Sequence, residues 1–200
     1  MDPSATKQPD DDAAEDFALM KQIAAGDESA FRALVLRHQD AVVGTVAKML
    51  GSPTDAEDIA QQVFLRVWQH AKQYRPDAKF TTYLFTITRN LVFNESRRRS
   101  RKKEVPLVTD DASGSHHEPS DVAHRQPDAT LLEAELRKAV DQAIASLPET
   151  QRLAVVLRRY DGLSYEEIAE VLDLSVSAVK SQLFRARHSL REALSGYLND

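Results

Sequence analysis

The stretch that most constrains the fold of this chain runs from Leu163 to Arg191 and reads as two helices joined by a tight turn. Ser164, followed three residues later by Glu167, is the pattern of a capping box, in which hydroxyl and carboxylate each satisfy one unpaired backbone N–H. Asp173-Leu174 supplies the turn, and Ser175 can cap the second helix. The stretch therefore predicts a helix-turn-helix.

The second of these helices has two unlike faces. Its apolar face, at helical spacing, consists of Val176, Val179, Leu183, Ala186 and Leu190. Its polar face carries Ser177, Lys180, Ser181, Phe184, Arg185 and His188. A solvated face rarely carries an aromatic, and no acid before Glu192 balances the bases of this segment. Since an α-helix fits the major groove of DNA, where base edges can be read, the pattern favours DNA binding over a plain amphipathic hairpin.

Composition limits the classes of protein that remain. Two hundred residues suit one or two small domains. The absence of cysteine excludes disulfides and thiolate metal sites, and the absence of a long apolar run or signal-like N-terminus leads us to expect a cytoplasmic protein. The net charge of −5 argues against a nucleic-acid binder, but its distribution is uneven. Acids crowd residues 2–16 and 104–135, whereas bases crowd residues 97–103 and 180–191, which favours DNA contact at the two basic segments.

Helical periodicity organises the first half of the chain. Residues 1–15 are expected to be a disordered acidic tail, and helical spacing of apolar residues begins near Phe17. Further helices are predicted from Ser29 to Leu50, from Thr54 or Asp55 to about Ala71, and from Phe80 into the basic run. Residues 16–103 therefore form a first, all-helical domain. The basic run has six bases in seven residues, more than a helix end needs, and predicts phosphate contact.

A linker and a second domain complete the chain. Residues 104–128 are rich in Pro, Asp, Ser and Gly and are predicted to be a flexible linker. Helices at Ala129–Ser146 and Glu149–Tyr160 precede the helix-turn-helix and give a second domain at residues 129–198. The fold class is thus all-α, with two small helical domains joined by a flexible linker, the second of them a helix-turn-helix.

Little in the sequence points to chemistry. The linker histidines His116, His117 and His124 lack cysteine partners and a fixed helical spacing, so no metal is expected. The chain offers no paired carboxylates in a pocket, no nucleophile–His pair and no Gly-rich phosphate loop, so we expect neither a cofactor nor an enzyme.

Both domains resemble extracytoplasmic-function (ECF) sigma factors of the sigma-70 family. The second domain is similar to their promoter-binding region four in the segment SLPETQRLAVVLRRYDGLSYEEIAEVLDLSVSAVKSQLFRAR. The first is similar to their region two in DAEDIAQQVFLRVWQ followed by FTTYLFTITRNLVFNESRRR. The resemblance covers nearly all of the chain outside the tail and linker. It implies a sigma subunit that binds bacterial RNA polymerase core, recognises promoter DNA and is controlled by an anti-sigma factor.

The resemblance also implies roles for individual residues of the first domain. The polymerase-binding positions, expected on the β′ clamp helices, are Asp58, Gln61 and Gln62; the family often has Glu in place of Gln62, whose amide still forms hydrogen bonds. The positions expected at the minus-ten element are Phe80, Tyr83, Asn90, Asn94, Arg97, Arg98 and Arg99, with Arg89 also on the backbone. Stacking of an unpaired base on an aromatic contributes about 1–3 kcal/mol, which suits strand opening. The alternative for Phe80 and Tyr83 is an ordinary place in the core.

In the second domain the resemblance implies contact with the minus-thirty-five element and with the polymerase β flap. The residues expected at the minus-thirty-five element are Ser177, Lys180, Ser181, Phe184, Arg185, Arg187 and His188, the last two on phosphate. Two other classes stay open. A stand-alone helix-turn-helix regulator would need a sensor domain, for which no strand-and-helix alternation is present. An anti-sigma or adaptor protein would not need the basic run or the face formed by Lys180 and Arg185.

Overall fold

The computed structural model describes residues 9–104 and 127–198, and within these ranges every regular element is helical. The helices are α1 (Pro9–Ala24), α2 (Glu28–Leu50), α3 (Pro53–His70), α4 (Phe80–Glu104), α5 (Pro127–Ser146), α6 (Glu149–Arg159), α7 (Tyr165–Leu172), α8 (Val176–Ala193) and α9 (Ser195–Leu198), with a 3₁₀ turn at Ala71–Gln73. The all-α fold class is confirmed. Nearly all of the predicted linker, including its three histidines, lies outside the described residues.

Caps set the helix ends close to the predicted positions. The Asp27 carboxylate accepts hydrogen bonds from the N–H groups of Ser29 (2.8 Å) and Ala30 (3.1 Å), so α2 begins one residue earlier than predicted. Gly51 ends α2 with a left-handed φ of 68°, which glycine adopts without steric cost. Ser52 then caps α3, whose first residue is Pro53, because the missing N–H of proline is not needed at a helix start.

The acidic N-terminal segment differs from the prediction. Disorder was expected through residue 15, but α1 begins at Pro9. Its carboxylates have a partner on α2: the Arg37 guanidinium lies 3.0 Å from Asp12, 2.9 Å from Glu15 and 3.0 Å from Asp16. These ion pairs stabilise α1 against α2, and composition alone does not reveal them. Residues 1–8 lie outside the described part of the chain.

Helix α2 is the centre of the first domain. It contacts α1, α3 and α4 through buried apolar side chains that include Leu34, Val42 and Val46. In the second domain α6, α7 and α8 pack on one another around residues such as Leu157, Ile168 and Val179. Helix α8 is thereby held with one face in the core and the other in solvent.

The two domains also pack on each other, which the sequence did not predict. Helix α6 contacts α2, α7 contacts α4, and buried side chains of both domains form one continuous apolar cluster. Among the described residues, no helix combines the length and hydropathy needed to cross a bilayer.

Candidate nucleic-acid and protein interfaces

The helix-turn-helix is built by three local devices. The capping box is confirmed: the Glu167 N–H donates to Ser164 Oγ (3.1 Å), and Glu167 Oε2 accepts from the Ser164 N–H (2.7 Å). Asp173 makes the turn in the left-handed region, with a φ of 56°. Ser175 caps α8 by accepting from the Ala178 N–H at 3.2 Å. These devices fix the direction in which α8 leaves the turn.

Helix α8 presents the predicted DNA-reading face to solvent. Val179, Leu183 and Ala186 are buried on its inner side. All of the predicted minus-thirty-five residues are exposed: Ser177, Lys180, Ser181, Phe184, Arg185, Arg187 and His188. Phe184 is 71% exposed, so its ring is accessible to a partner.

Local contacts differentiate the basic residues of this face. Arg187 Nε donates to the Leu183 carbonyl (3.2 Å), and His188 Nε2 lies 3.4 Å from Glu192, so both side chains are partly engaged within α8. This suits the prediction that they contact phosphate rather than read bases. Lys180 and Arg185 are exposed beside Phe184 at the rim of a shallow cavity of about 630 Å³.

Tyr165 belongs to this surface, although the sequence reading did not single it out. It lines the same cavity, with Lys180 Nζ 6.0 Å and the Arg158 guanidinium carbon 5.1 Å from its ring centroid. Cations at such distances are attracted to an aromatic face. The sequence did contain a signal for this position. Tyr165 is an aromatic residue directly after the capping residue Ser164, so it begins α7, the helix that packs on α8.

Helix α4 carries the predicted minus-ten residues in two different environments. Phe80 is only 2% exposed and packs against His38, Tyr74 and Tyr83, with ring centroids 5.2–6.2 Å apart. It offers no surface on which a base could stack in this conformation, and its surroundings are those of a core residue. Tyr83 is half-buried, and burial raises the pKa of its phenol.

Polar groups further along α4 remain accessible. Asn90 and Asn94 are exposed one turn apart. The guanidinium of Arg89 donates to Asn90 Oδ1 through Nε (3.1 Å) and NH2 (2.7 Å). Arg89 therefore orients the Asn90 amide, whose NH₂ group can still donate to a base edge.

The basic run is not uniform. Arg98 and Arg99 both pair with Glu95, at 2.7 and 2.9 Å, and the hydrogen bond from Arg98 contributes most to lowering the Glu95 pKa to about 2. Arg99 also lies 2.6 Å from Asp55 and donates to the Leu50 carbonyl at 3.1 Å. It thus ties α4 to α2 and α3, a structural role that the sequence did not predict. Arg97 is exposed.

One of the predicted polymerase-binding residues lines an open apolar groove. Asp58, Gln61 and Gln62 are exposed on α3, and Gln61 lines a groove of about 1180 Å³ between α2 and α3. Leu36 (63% exposed) and Leu65 (53% exposed) stand in this groove. The sequence reading missed both, although each is a large apolar residue outside the core spacing of its own helix.

The rest of the groove has a mixed lining. Phe31 and Trp68 are half-buried on its wall with ring centroids 5.1 Å apart. Charged groups at its edge are mostly acidic: Glu28, Asp40 and Glu57, against the single base Arg32. The groove can hold an apolar helix face flanked by basic side chains.

Fold and surfaces together define a two-domain, all-helical DNA-binding protein, and comparison with known proteins names its family. The family model described as Sigma-70 region 2 matches residues 34–102, and that described as Sigma-70, region 4 matches residues 137–190. The chain is 34% identical over 178 residues to the ECF RNA polymerase sigma-E factor of Escherichia coli K12, covering 88% of this chain and 92% of that protein. The chain therefore belongs to the sigma-70 family as an ECF sigma factor, a non-enzymatic initiation factor.

Two solved structures are similar in fold. CnrH in complex with the cytosolic domain of CnrY has a TM-score of 0.67 and 27% identity, covering 91% of this chain and 98% of that chain. The sigma factor RpoE of Bartonella quintana, in complex with the anti-sigma factor NepR, has a TM-score of 0.62 and 22% identity, covering 82% of this chain and 96% of that chain. Among the described residues, no cluster of His, Asp and Glu has metal-binding geometry.

Proposed function

We propose that this sigma factor docks on bacterial RNA polymerase core through the groove between α2 and α3, reads the minus-thirty-five element with α8, and reads the minus-ten element with α4. The observation that carries the DNA-reading part is the exposed Phe184 between Lys180 and Arg185 on α8. Such a face combines apolar contact with hydrogen-bond donors, which is what the major groove accepts. Acting with the polymerase, the protein would work in the cytoplasm.

Docking on the β′ clamp helices is supported by the groove and its rim. Leu36 and Leu65 give exposed apolar surface, and Gln61 adds a polar group to the same lining, with Asp58 and Gln62 exposed on the same helix. An apolar centre with a polar rim is the usual anatomy of a protein interface. The excess of acids at the edge favours a partner with basic side chains.

Two further partners are proposed for the second domain and for the whole chain. Leu136 is exposed on α5, where Val140 is only half-buried, and we assign this face to the polymerase β flap. An anti-sigma factor is the proposed regulator, because two similar folds were solved with a bound protein, one a cytosolic domain and one an anti-sigma factor.

The docking proposal is tested by replacing Leu36 and Leu65 with Glu, singly and together. Both side chains are largely exposed, so we expect the free energy of unfolding to change little, whereas affinity for core should fall about tenfold or more per substitution. Phe17→Glu is the matched control, because Phe17 is an exposed apolar residue on α1 outside the groove. Equal core affinity of the double variant and the wild type would reject the groove as the docking site.

A further inference from the structure

The basic run at the end of α4 carries less unpaired charge than its sequence indicates, because Glu95 lies directly before it on the same helix. Arg98 donates two hydrogen bonds to Glu95, from Nε to Oε2 at 2.7 Å and from NH2 to Oε1 at 2.8 Å. Arg99 Nε donates to the same Oε1 at 2.9 Å. One carboxylate therefore holds two of the guanidinium groups that were predicted to contact the DNA backbone.

The pair formed by Glu95 and Arg98 has the geometry that an arginine and a phosphate group adopt. Two parallel hydrogen bonds from one edge of a guanidinium are the common arrangement with carboxylate and phosphate alike. The Glu95 side chain is 14% exposed, whereas the Arg98 side chain is 67% exposed and accessible to DNA. A phosphate that approaches Arg98 must displace the carboxylate or lie close to a second negative charge, and both cost free energy.

Asp55 on α3 completes the neutralisation of this part of the run. It lies 2.6 Å from Arg99, so two carboxylates face two guanidinium groups and their charges cancel. The pKa of Glu95 is lowered to about 2, mainly by the hydrogen bond from Arg98, so its carboxylate is charged at neutral pH. Arg97 is exposed two residues after Glu95, on a different face of the helix. The run therefore contains both paired and exposed cations.

We propose that Glu95 is a specificity-determining residue, which occupies the place of a DNA phosphate on Arg98 and Arg99 and thereby weakens sequence-independent binding to the DNA backbone. Phosphate contacts supply affinity for any DNA, whereas base contacts distinguish promoters. A chain with restrained backbone contacts depends more on its base contacts, so it discriminates better between promoters and other DNA. This inference rests on the proposed function, in which the basic run meets the DNA backbone.

Glu95→Gln tests the proposal, because the amide keeps the size of the side chain and removes its charge. The full chain is titrated with a short non-promoter duplex, and fluorescence anisotropy gives the affinity at several salt concentrations. We expect the affinity to rise about two- to fivefold, the effect of breaking one exposed ion pair. The slope of log affinity against log salt should steepen by about one, for one more phosphate contact. Glu170→Gln makes the same charge change at an exposed position of α7 and should leave both quantities unchanged.

Arg98→Ala separates occupation of the guanidinium from a general effect of charge. In this background Glu95→Gln should gain little affinity, because the group that the carboxylate occupies is gone. An equal gain in both backgrounds would overturn the proposal. A merely helix-stabilising Glu95 predicts a lower free energy of unfolding for Glu95→Gln, with affinity and salt slope unchanged. Equal affinities of the wild type and Glu95→Gln, including no binding by either, would also overturn the proposal.

Reconstituted holoenzyme provides the second arm of the experiment. Run-off transcription is measured with increasing amounts of non-promoter competitor DNA, and Glu95→Gln should lose promoter transcripts at less competitor than the wild type. Equal resistance of the two proteins to competitor would overturn the role of Glu95 in specificity. Failure of the wild-type holoenzyme to transcribe from discrete promoters would instead reject the proposed function. The duplex titration would then still decide whether Glu95 restrains backbone contact.

Discussion

Lys180, Arg185 and Arg97 all carry a positive charge in solvent, yet they lie in different settings. Lys180 and Arg185 flank an exposed aromatic on α8, the helix that we propose reads base edges. Arg97 lies in a run of bases on the last turns of α4, where it can meet phosphate. Base contacts specify a sequence and phosphate contacts position the protein. Substitutions of the two kinds of residue should therefore have different effects on promoter binding.

Substitution of these residues by Ala should separate the two roles. Lys180→Ala and Arg185→Ala should each cost about 1–3 kcal/mol at preferred promoters and change the order of preference. Arg97→Ala should weaken all promoters by a similar factor and lower the salt dependence of binding. Transcription from a promoter library by the reconstituted holoenzyme measures both effects. If Lys180→Ala and Arg185→Ala lowered transcription from all promoters by the same factor, Lys180 and Arg185 would not read bases.

At the scale of the element, the sequence predicted best the helix ends that carry local start or stop signals. The Ser164–Glu167 capping box, the cap at Ser175 and the left-handed Gly51 are local, and local rules place them. The burial of Phe80 and the role of Arg99 depend on neighbours far along the chain, such as His38 and Asp55. Helical spacing alone does not predict which aromatic side chain such neighbours will bury or which cation they will pair with.

The capping box gives an element-scale prediction. Ser164→Ala removes the acceptor for the Glu167 N–H and should lower the free energy of unfolding of the second domain by about 1 kcal/mol. Ser189→Ala is the matched control, since Ser189 lies exposed within α8, where it caps no helix. Chemical denaturation followed by circular dichroism measures the difference. Equal stability of the two variants would mean that the box does not support α7.

At the scale of the molecule, the domain contact was the least predictable feature. Its polar residues are ordinary in the sequence: Thr45 lies within an apolar helix, and Asp161 reads as the end of α6. Only the packing of α6 on α2 buries them together. Burial is the largest influence on Asp161 and raises its pKa from the ordinary 3.8 to about 6, against the opposing effects of Thr45 and Lys48.

This shift makes the stability of the domain contact depend on pH. Because burial at the domain contact raises the pKa of Asp161, protonation of Asp161 favours this contact: the stabilisation is complete below about pH 4 and is lost as the pH rises through about 6. The difference across this range is at most about 3 kcal/mol, at 1.36 kcal/mol per pKa unit. Other charged groups at the same boundary are Asp16, Arg37, His38, Lys48, Lys79, Asp141 and Glu167. Chemical denaturation of wild type and Asp161→Asn between pH 5 and pH 7.5 isolates the Asp161 contribution to the free energy of unfolding, and equal pH dependence of the two proteins would contradict it.

The central claim, that this ECF sigma factor directs polymerase to promoters with its two reading helices, is tested most directly by mixing the purified protein with bacterial core polymerase. Gel filtration of the mixture should show co-elution, and run-off transcription on a genomic promoter library should give discrete start sites preceded by two shared sequence elements. Specific DNA binding without core, together with failure to co-elute, would contradict the account and identify a stand-alone regulator.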